Sequence, residues 1–523
     1  MKSTIKVAIL LMSLLLPALF FGLGNRPVYK IQEVRIAETA REMLASGDWL
    51  VPRYNGELRL QKPPLPYWLT AASYRALGVS ESTTRLPSVL FGLVSAALIL
   101  FWAKRESGLK VAAYSVLVLV LTYLGLRYFR SGEADALLLF FVSAASMLGY
   151  DLLHARGSAQ RRALFGLALG LGFLSKGPAA LAIPVLSLVA MGALEKRAGR
   201  EWPSVRRFLS WPGVLVLLIS AFGWYLLILW KYPEIAQQFF GKQVDETFVS
   251  GTHVQPLWWY LAHSLEFFAP WGVLLVPAGI MAYRQRSIEM PPLLRFAWVW
   301  LAVVFVLLTA TVNKQTQYAL LFSPPVALII GHYLVLARGS YERINRVLFG
   351  VFCLVALAGV VFVVRKSLDA PIAAAWLLYP LIPLFVQRLL RDSVLSLPVL
   401  FVAGVTVAAF LCGEAYLSKD PRKVAAQALM SEAAHYPILV QGEAKPGRGE
   451  LSFYANRVVS PVGAQDLARL LDKEAEVWLV AEHPPVLENG SVELIRQEGD
   501  LRLFRLRRVP EIQMPGSPQA TNQ

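Results

Sequence analysis

The chain is 523 residues long, 56% hydrophobic and only 16% charged, with a mean hydropathy of +0.50. Soluble domains carry about a quarter charged residues, so this composition excludes an ordinary soluble protein. The net charge of +16 invites a nucleic-acid reading, but no basic patch is interleaved with aromatics as such an interface needs. The excess collects in loops instead, where Lys and Arg fix membrane topology. The two cysteines, Cys353 and Cys412, sit inside apolar runs. They read as small buried hydrophobes rather than a disulfide or metal pair.

In chain order, Lys2 and Lys6 precede an apolar run, Val7–Leu23, with no small-x-small cleavage site near Gly24. It reads as an uncleaved first span with the N-terminus in the cytoplasm. Further apolar runs follow, from Arg85–Ala103 to Leu395–Tyr416. They make about thirteen helical spans, since a core of ~30 Å takes about 20 residues at ~1.5 Å each. The runs flanking Lys176, Ala163–Ser175 and Pro178–Leu194, are short for that thickness. Lys and Arg concentrate in alternate loops. These are Lys104, Arg105 and Lys110; Arg156, Arg161 and Arg162; Lys196, Arg197, Arg200, Arg206 and Arg207; Arg284, Arg286 and Arg295; Arg338, Arg343 and Arg346; Arg388 and Arg391. The alternation places those loops in the cytoplasm and the C-terminal segment outside. Residues 1–416 form the membrane domain, and residues 28–78 its long first outer loop.

From Leu417 the pattern changes. Ser418–Tyr436 and Ala464–Leu471 read as helices, and Ile438–Gln441, Leu451–Tyr454, Val477–Ala481 and Leu501–Arg505 as short strands. Residues 417–509 are expected to form a small extracytoplasmic domain, and residues 510–523 a disordered tail. The fold class is an all-α polytopic membrane protein with a small C-terminal soluble α/β domain.

The residues able to carry chemistry lie at the outer ends of the spans. In the first outer loop Ile36, Ala37, Ala40, Met43 and Leu44 form one helical stripe, and Glu33 lies on it. A carboxylate on an apolar face is costly without a partner or a task, although it also suits a helix N-terminus. Arg35, Glu38, Arg41 and Glu42 point elsewhere. Pro63 and Pro64 hold Lys62 extended, and Pro66 suits the first turn of a short helix ending at Gly78. Lys62 is placed for a lipid phosphate or for snorkelling to the interface. Asp135 opens a span, as a functional carboxylate or as an N-cap. The Gly177-Pro178 turn explains its own two residues but not the Lys176 before it. The loop Lys231–Pro256 holds Lys242, Asp245, Glu246 and His253, followed by Trp258-Trp259-Tyr260 as an interfacial belt. Lys314 and Tyr318 follow a later span. With Arg127 and Arg130, these groups suit the departure of a phosphate from a sugar. Cations hold the charge that builds on the phosphate oxygen, and a carboxylate takes the acceptor's proton.

Ala37-Glu38-x-x-Arg41-Glu42-Met43-Leu44-x-x-Gly47-Asp48-Trp49-Leu50-Val51-Pro52, followed by Lys62-Pro63-Pro64-x-x-Tyr67-Trp68-Leu69, closely resembles the bacterial aminoarabinose (lipid A) transferases. More widely it is similar to the protein O-mannosyltransferase superfamily. Lys176-Gly177-Pro178, Pro256-Leu257-Trp258-Trp259-Tyr260 and Lys314-x3-Tyr318 are similar too. The resemblance implies the GT-C architecture, a bacterial inner membrane and an extracytoplasmic active site. It implies a polyprenyl-phosphate-linked sugar donor and a lipid (lipid A-like) or glycan acceptor. On that likeness Glu33 and Asp135 are the catalytic candidates, and Lys62, Lys242 and Lys176 the donor-phosphate ligands. Gln32, Gln61, Tyr67, Trp68 and Tyr318 line the cavity. The family opens its first-loop helix with Asp-Glu, where this chain has Gln32-Glu33, and often places Glu where this chain has Gln61. An amide cannot act as a base. Gln32 and Gln61 also count against a bound divalent metal, and no cofactor is assigned. Two other classes stand beside this reading. A transporter or flippase of lipid-linked sugars would put its charges near the midplane and often shows inverted repeats, neither of which is visible. A non-catalytic lipid-binding relative is kept open by Gln32.

Overall fold

A computed structural model describes the chain apart from residues 1, 29, 155, 200–203, 234–253, 285–289, 338–339, 368–377, 391–394, 418–437, 442–447, 475, 486, 488–489, 499–500 and 509–523. Two compact units emerge. The first comprises Met1–Arg26, Thr39–Arg53 and Leu58–Lys419, the second Pro27–Glu38, Tyr54–Glu57 and Asp420–Gln523.

The first unit is helical. Its opening elements are α1 (Lys2–Phe20), α2 (Ile31–Ser46, which begins in the second unit), α3 (Leu65–Leu77), α4 (Glu81–Ser107) and α5 (Leu109–Val120). Then come α6 (Tyr123–Tyr128), α7 (Asp135–Leu153), α8 (Ala159–Lys176), α9 (Ala179–Arg197) and α10 (Trp211–Lys231). Later helices include Pro292–Ala310, Ser323–Leu336, Ser340–Ser367 and Leu397–Leu417. Among the described residues eight helices are long and apolar enough to cross a membrane. The chain is a polytopic α-helical membrane protein.

Two of the expected spans are broken, and others fall partly on residues outside the described ones, so the eight are a count of the described residues alone. The run Val111–Leu126 stops at Val120, because Thr122 Oγ1 accepts the Gly125 N–H at 3.0 Å and starts a new short helix. A Cβ on Gly125 would meet the Leu119 carbonyl at 2.4 Å, so the turn needs glycine. The run Leu257–Tyr283 is interrupted before Trp271, where Pro270 offers no N–H to a continuing helix. The spans beside Lys176 are longer than expected. Ser158 caps α8 through the Arg161 N–H at 3.1 Å, one turn before the apolar run begins. The first half of the expected span Pro371–Val386 lies outside the described residues.

Close approach of small residues packs this unit. A Cβ on Gly166 of α8 would lie 2.1 Å from the Gly213 carbonyl of α10, so the two backbones touch. In helix α2, Glu38, Arg41 and Glu42 lie off the apolar stripe yet are buried along with Ile36, Ala37, Ala40 and Met43.

Buried charge ties distant helices of this unit together. Arg26 and Arg130 both reach Glu414, at 3.3 and 3.4 Å. Arg130 Nη1 also donates to the Ala18 carbonyl at 2.8 Å, and Arg85 Nη1 to those of Leu23 and Arg26 at 2.7 and 2.9 Å. One carboxylate on Leu397–Leu417 thereby holds the end of α1 to the loop that opens α7.

After the short strands β1 (Arg53–Tyr54) and β2 (Glu57–Leu58) of the first outer loop, the chain forms in the second unit a five-stranded sheet built from β3 (Ile438–Val440), β4 (Ser460–Pro461), β5 (Glu476–Ala481), β6 (Gly490–Glu498) and β7 (Leu501–Arg508), in the order β4-β3-β5-β7-β6. β3 is parallel to β4 and β5, whereas β7 is antiparallel to β5 and β6. Leu467 and Leu471 of the helix Ala464–Lys473 cluster with Val477, Leu479, Phe504 and Leu506. Leu451 clusters with Ile438, Val440, Trp478, Val480 and Leu503. The expected strand Leu451–Tyr454 is instead part of a helix, Arg448–Ala455. Gly449 to Phe453 are all buried there, and burial of consecutive residues overrides a period-two pattern. Segments of the first outer loop join this unit. Arg448 Nη2 donates to the Asn55 carbonyl at 2.6 Å, Ser452 Oγ to Asn55 Oδ1 at 3.1 Å, and the Val28 N–H to Tyr454 OH at 3.1 Å. The expected helix Ser418–Tyr436 and the tail from Pro510 lie outside the described residues.

Glu414→Ala should be strongly destabilising, by about 3–5 kcal/mol, because it strands buried guanidinium groups. Glu414→Gln should fall between that variant and the parent. Thermal unfolding of the detergent-purified chain reads the order.

Candidate active site

Three of the expected site residues converge in the first unit. Asp135 is the first residue of α7 and is 3% exposed. It is not the N-cap: Ala134 holds that position, and no side chain caps the helix. Lys176 is the last residue of α8, and Gly177, at φ +97°, ends that helix with its N–H on the Phe173 carbonyl at 2.8 Å. A carboxylate at a helix start and an ammonium at a helix end each match the local macrodipole. Lys176 Nζ donates to Asp135 Oδ1 at 2.5 Å. Asp135 Oδ2 is buried with no hydrogen-bond partner among the described residues.

Tyr318 completes the group. It belongs to a 3-10 helix, Thr316–Phe322, and its ring centroid lies 5.3 Å from Lys176 Nζ. That is cation–π range, which favours a desolvated ammonium. Four residues earlier, Lys314 is buried and donates to the Thr311 carbonyl at 2.6 Å and the Gln255 carbonyl at 3.2 Å. Burial pushes its ammonium below the ordinary lysine value.

Lys62 is half-buried just before α3, with Pro63 and Pro64 buried behind it. The chain segments before and after it are fixed by side chains. Asp48 Oδ1 accepts the N–H groups of Leu50 and Val51 at 3.0 and 3.1 Å. Trp68 Nε1 donates to the Trp49 carbonyl at 2.6 Å, and Trp224 Nε1 to the Leu50 carbonyl at 2.9 Å. Tyr67 is buried and its hydroxyl accepts from Arg59 Nε at 3.0 Å. Trp68 is half-buried and Gln61 exposed. Gln32 is half-buried and Glu33 1% exposed, both in the part of α2 that belongs to the second unit. Lys242, Asp245, Glu246 and His253 lie outside the described residues. Among the described residues no group of three or more His, Cys, Asp or Glu could hold a metal ion.

Sequence reasoning named Asp135, Lys176 and Tyr318 without pairing them. It missed the role of Glu414, and it gave Lys314 no contact. The available signal for Lys314 was its spacing of four from Tyr318 within a polar stretch, Asn313 to Gln317.

Residues 61–229 match the dolichyl-phosphate-mannose-protein mannosyltransferase family. A relative from Sodalis glossinidius, the undecaprenyl phosphate-α-4-amino-4-deoxy-L-arabinose arabinosyl transferase 2, is 31% identical over 76% of this chain and 70% of that protein. The chain belongs to this arabinosyl transferase family. The Aeromonas salmonicida member is also 31% identical, over 64% of this chain. The match spans 62% of that curated relative, a little over three-fifths of its length. A crystal structure of the family member ArnT from Cupriavidus metallidurans, bound to undecaprenyl phosphate, superposes with a TM-score of 0.79. It covers 97% of this chain and 99% of that one at 21% identity, and so establishes the shared GT-C fold.

The Asp135–Lys176 contact should behave as one unit. Asp135→Ala or Lys176→Ala alone should each cost about 3 kcal/mol, the lower end for a buried pair because Lys176 is 24% exposed. The double variant should lose less than the sum, and a double-mutant cycle on unfolding temperatures measures the difference.

Proposed function

We propose that this chain is a glycosyltransferase of the inner membrane that moves a sugar from a polyprenyl phosphate to a lipid acceptor at the outer leaflet. The names of its relatives make 4-amino-4-deoxy-L-arabinose on undecaprenyl phosphate the first donor to test, with a lipid A-type acceptor. The observation that carries the reading is the meeting of Asp135, Lys176 and Tyr318 where the ends of three helices come together. Such a constellation presents fixed cationic and phenolic groups to a phosphate. The N-terminus is assigned to the cytoplasm and the C-terminal domain to the outside, on the loop charges.

In the reaction the acceptor oxygen attacks the anomeric carbon. The bond from that carbon to the phosphate oxygen breaks, and the polyprenyl phosphate leaves with the electron pair. Lys62 and Lys242 are assigned to the phosphate as its charge grows, with Lys176 behind them. Asp135 acts as a positioning residue, because its carboxylate fixes the Lys176 ammonium against Tyr318. Glu33 is assigned the acceptor's proton. Gln32, Gln61, Tyr67 and Trp68 are assigned to the walls of the site. The amides at Gln32 and Gln61 support a reaction that needs no divalent metal.

Purified protein in liposomes, supplied with a panel of polyprenyl-phosphate sugars and lipid A, tests the reading. The parent should form a new glycosidic bond, with an unchanged rate in EDTA. Glu33→Gln should lower transfer by roughly a hundredfold or more, and Asp135→Asn should lower it by about tenfold through Lys176. Wild-type rates in both variants would remove these two roles, and no transfer from any donor would remove the function.

A further inference from the structure

Lys314 lies in the linker between the span Pro292–Ala310 and the 3-10 helix that carries Tyr318. It is 3% exposed, yet its two recorded acceptors are both backbone carbonyls, those of Thr311 and Gln255. No carboxylate pairs with it among the described residues. Beside it, Val254 and Asn313 form an isolated antiparallel bridge. Bridge and ammonium together staple the residues leading into Trp258 to the segment that starts the Tyr318 turn. The Tyr318 N–H itself closes that turn on the Gln315 carbonyl at 3.1 Å.

A staple alone does not require a charge. An ammonium taken out of water costs several kcal/mol, and two carbonyl dipoles offset only part of that. A neutral amide could donate to the same two carbonyls without the charge. The neighbouring Lys176 differs, because Asp135 already balances it. The pair is neutral as a whole, whereas Lys314, four residues before the tyrosine that Lys176 touches, is balanced by no carboxylate among the described residues. A donor phosphate brings the complementary charge.

We propose that Lys314 is a positioning residue of the donor site, stapling Gln255 and Thr311 beside the Tyr318 turn and supplying a charge, balanced by no carboxylate among the described residues, that draws the donor's phosphate. This rests on the glycosyltransferase reading above. It adds a residue that neither the sugar nor the acceptor defines, and it ascribes donor affinity rather than bond cleavage to that residue.

The test measures binding of undecaprenyl phosphate, and of uncharged undecaprenol, to the detergent-purified full chain. Lys314→Gln keeps two N–H donors for the carbonyls but drops the charge. It should bind undecaprenyl phosphate roughly tenfold more weakly, as expected for loss of a charged donor, and undecaprenol as the parent does. Lys314→Arg should stay within about threefold of the parent, because it keeps the charge. Lys314→Met gives a second uncharged variant, so either folded variant decides. In transfer assays the loss should fall on KM for the donor rather than on kcat. If a folded Lys314→Gln or Lys314→Met chain binds undecaprenyl phosphate as tightly as the parent, Lys314 is a staple only and the inference fails. If the parent binds neither lipid and transfers no sugar, the underlying functional reading fails instead.

Discussion

The contact between Asp135 and Lys176 is the constraint on which the rest of the site depends. It joins the first residue of α7 to the last residue of α8, so two long helices packed side by side are tied at one end by a single charged contact. Each charge is already favoured where it stands by the dipole of its own helix, and each would be costly if buried alone. The pair therefore fixes the angle at which α8 turns into α9 through Gly177 and Pro178. It also fixes the height of the ammonium under Tyr318. A site built this way is rigid because its charged parts are also its structural joints.

The joint is reinforced from the other side of the same loop. Arg130 is anchored on Ala18 and Glu414, and Ser88 Oγ donates to the Glu133 carbonyl at 3.0 Å. The turn from Arg130 to Asp135 is thus held at its start, middle and end, by α1, the helix Leu397–Leu417, α4 and α8. A residue 388 positions away in sequence, Glu414, holds Arg26 as well. These contacts explain a basic excess that loop topology alone does not exhaust: some of the arginines are interior fasteners. Their carbonyl and carboxylate partners make that burial tolerable.

What could be read from the sequence follows from the range of each interaction. The Gly177-Pro178 break and the Pro63-Pro64 approach to α3 are local signals, and α8, α9 and α3 end or begin where they put them. The stop after Val120 depends on one threonine side chain and one glycine, and hydropathy smooths both away. In the second unit, β6 escaped notice because Val492 and Leu494 are exposed, so the strand shows no buried alternating face. It is held as a strand by pairing with β7. The helix Arg448–Ala455 was misread because its burial is decided by neighbours such as Asn55, nearly 400 positions earlier, which no window contains. Asp135 and Lys176 could each be singled out as ionisable groups at span ends. Their pairing across 41 residues could not.

The substitution at Gln32 has a geometric consequence for the chemistry. Successive residues on a helix point about 100° apart, since a turn takes about 3.6 residues. A carboxylate at Glu33 therefore leaves α2 in a different direction from one at position 32, and the two cannot exchange roles in place. Gln32 is half-buried, whereas Glu33 is 1% exposed. If Glu33 takes the acceptor's proton as proposed, the acceptor meets a more enclosed group than position 32 offers, from another side of the helix.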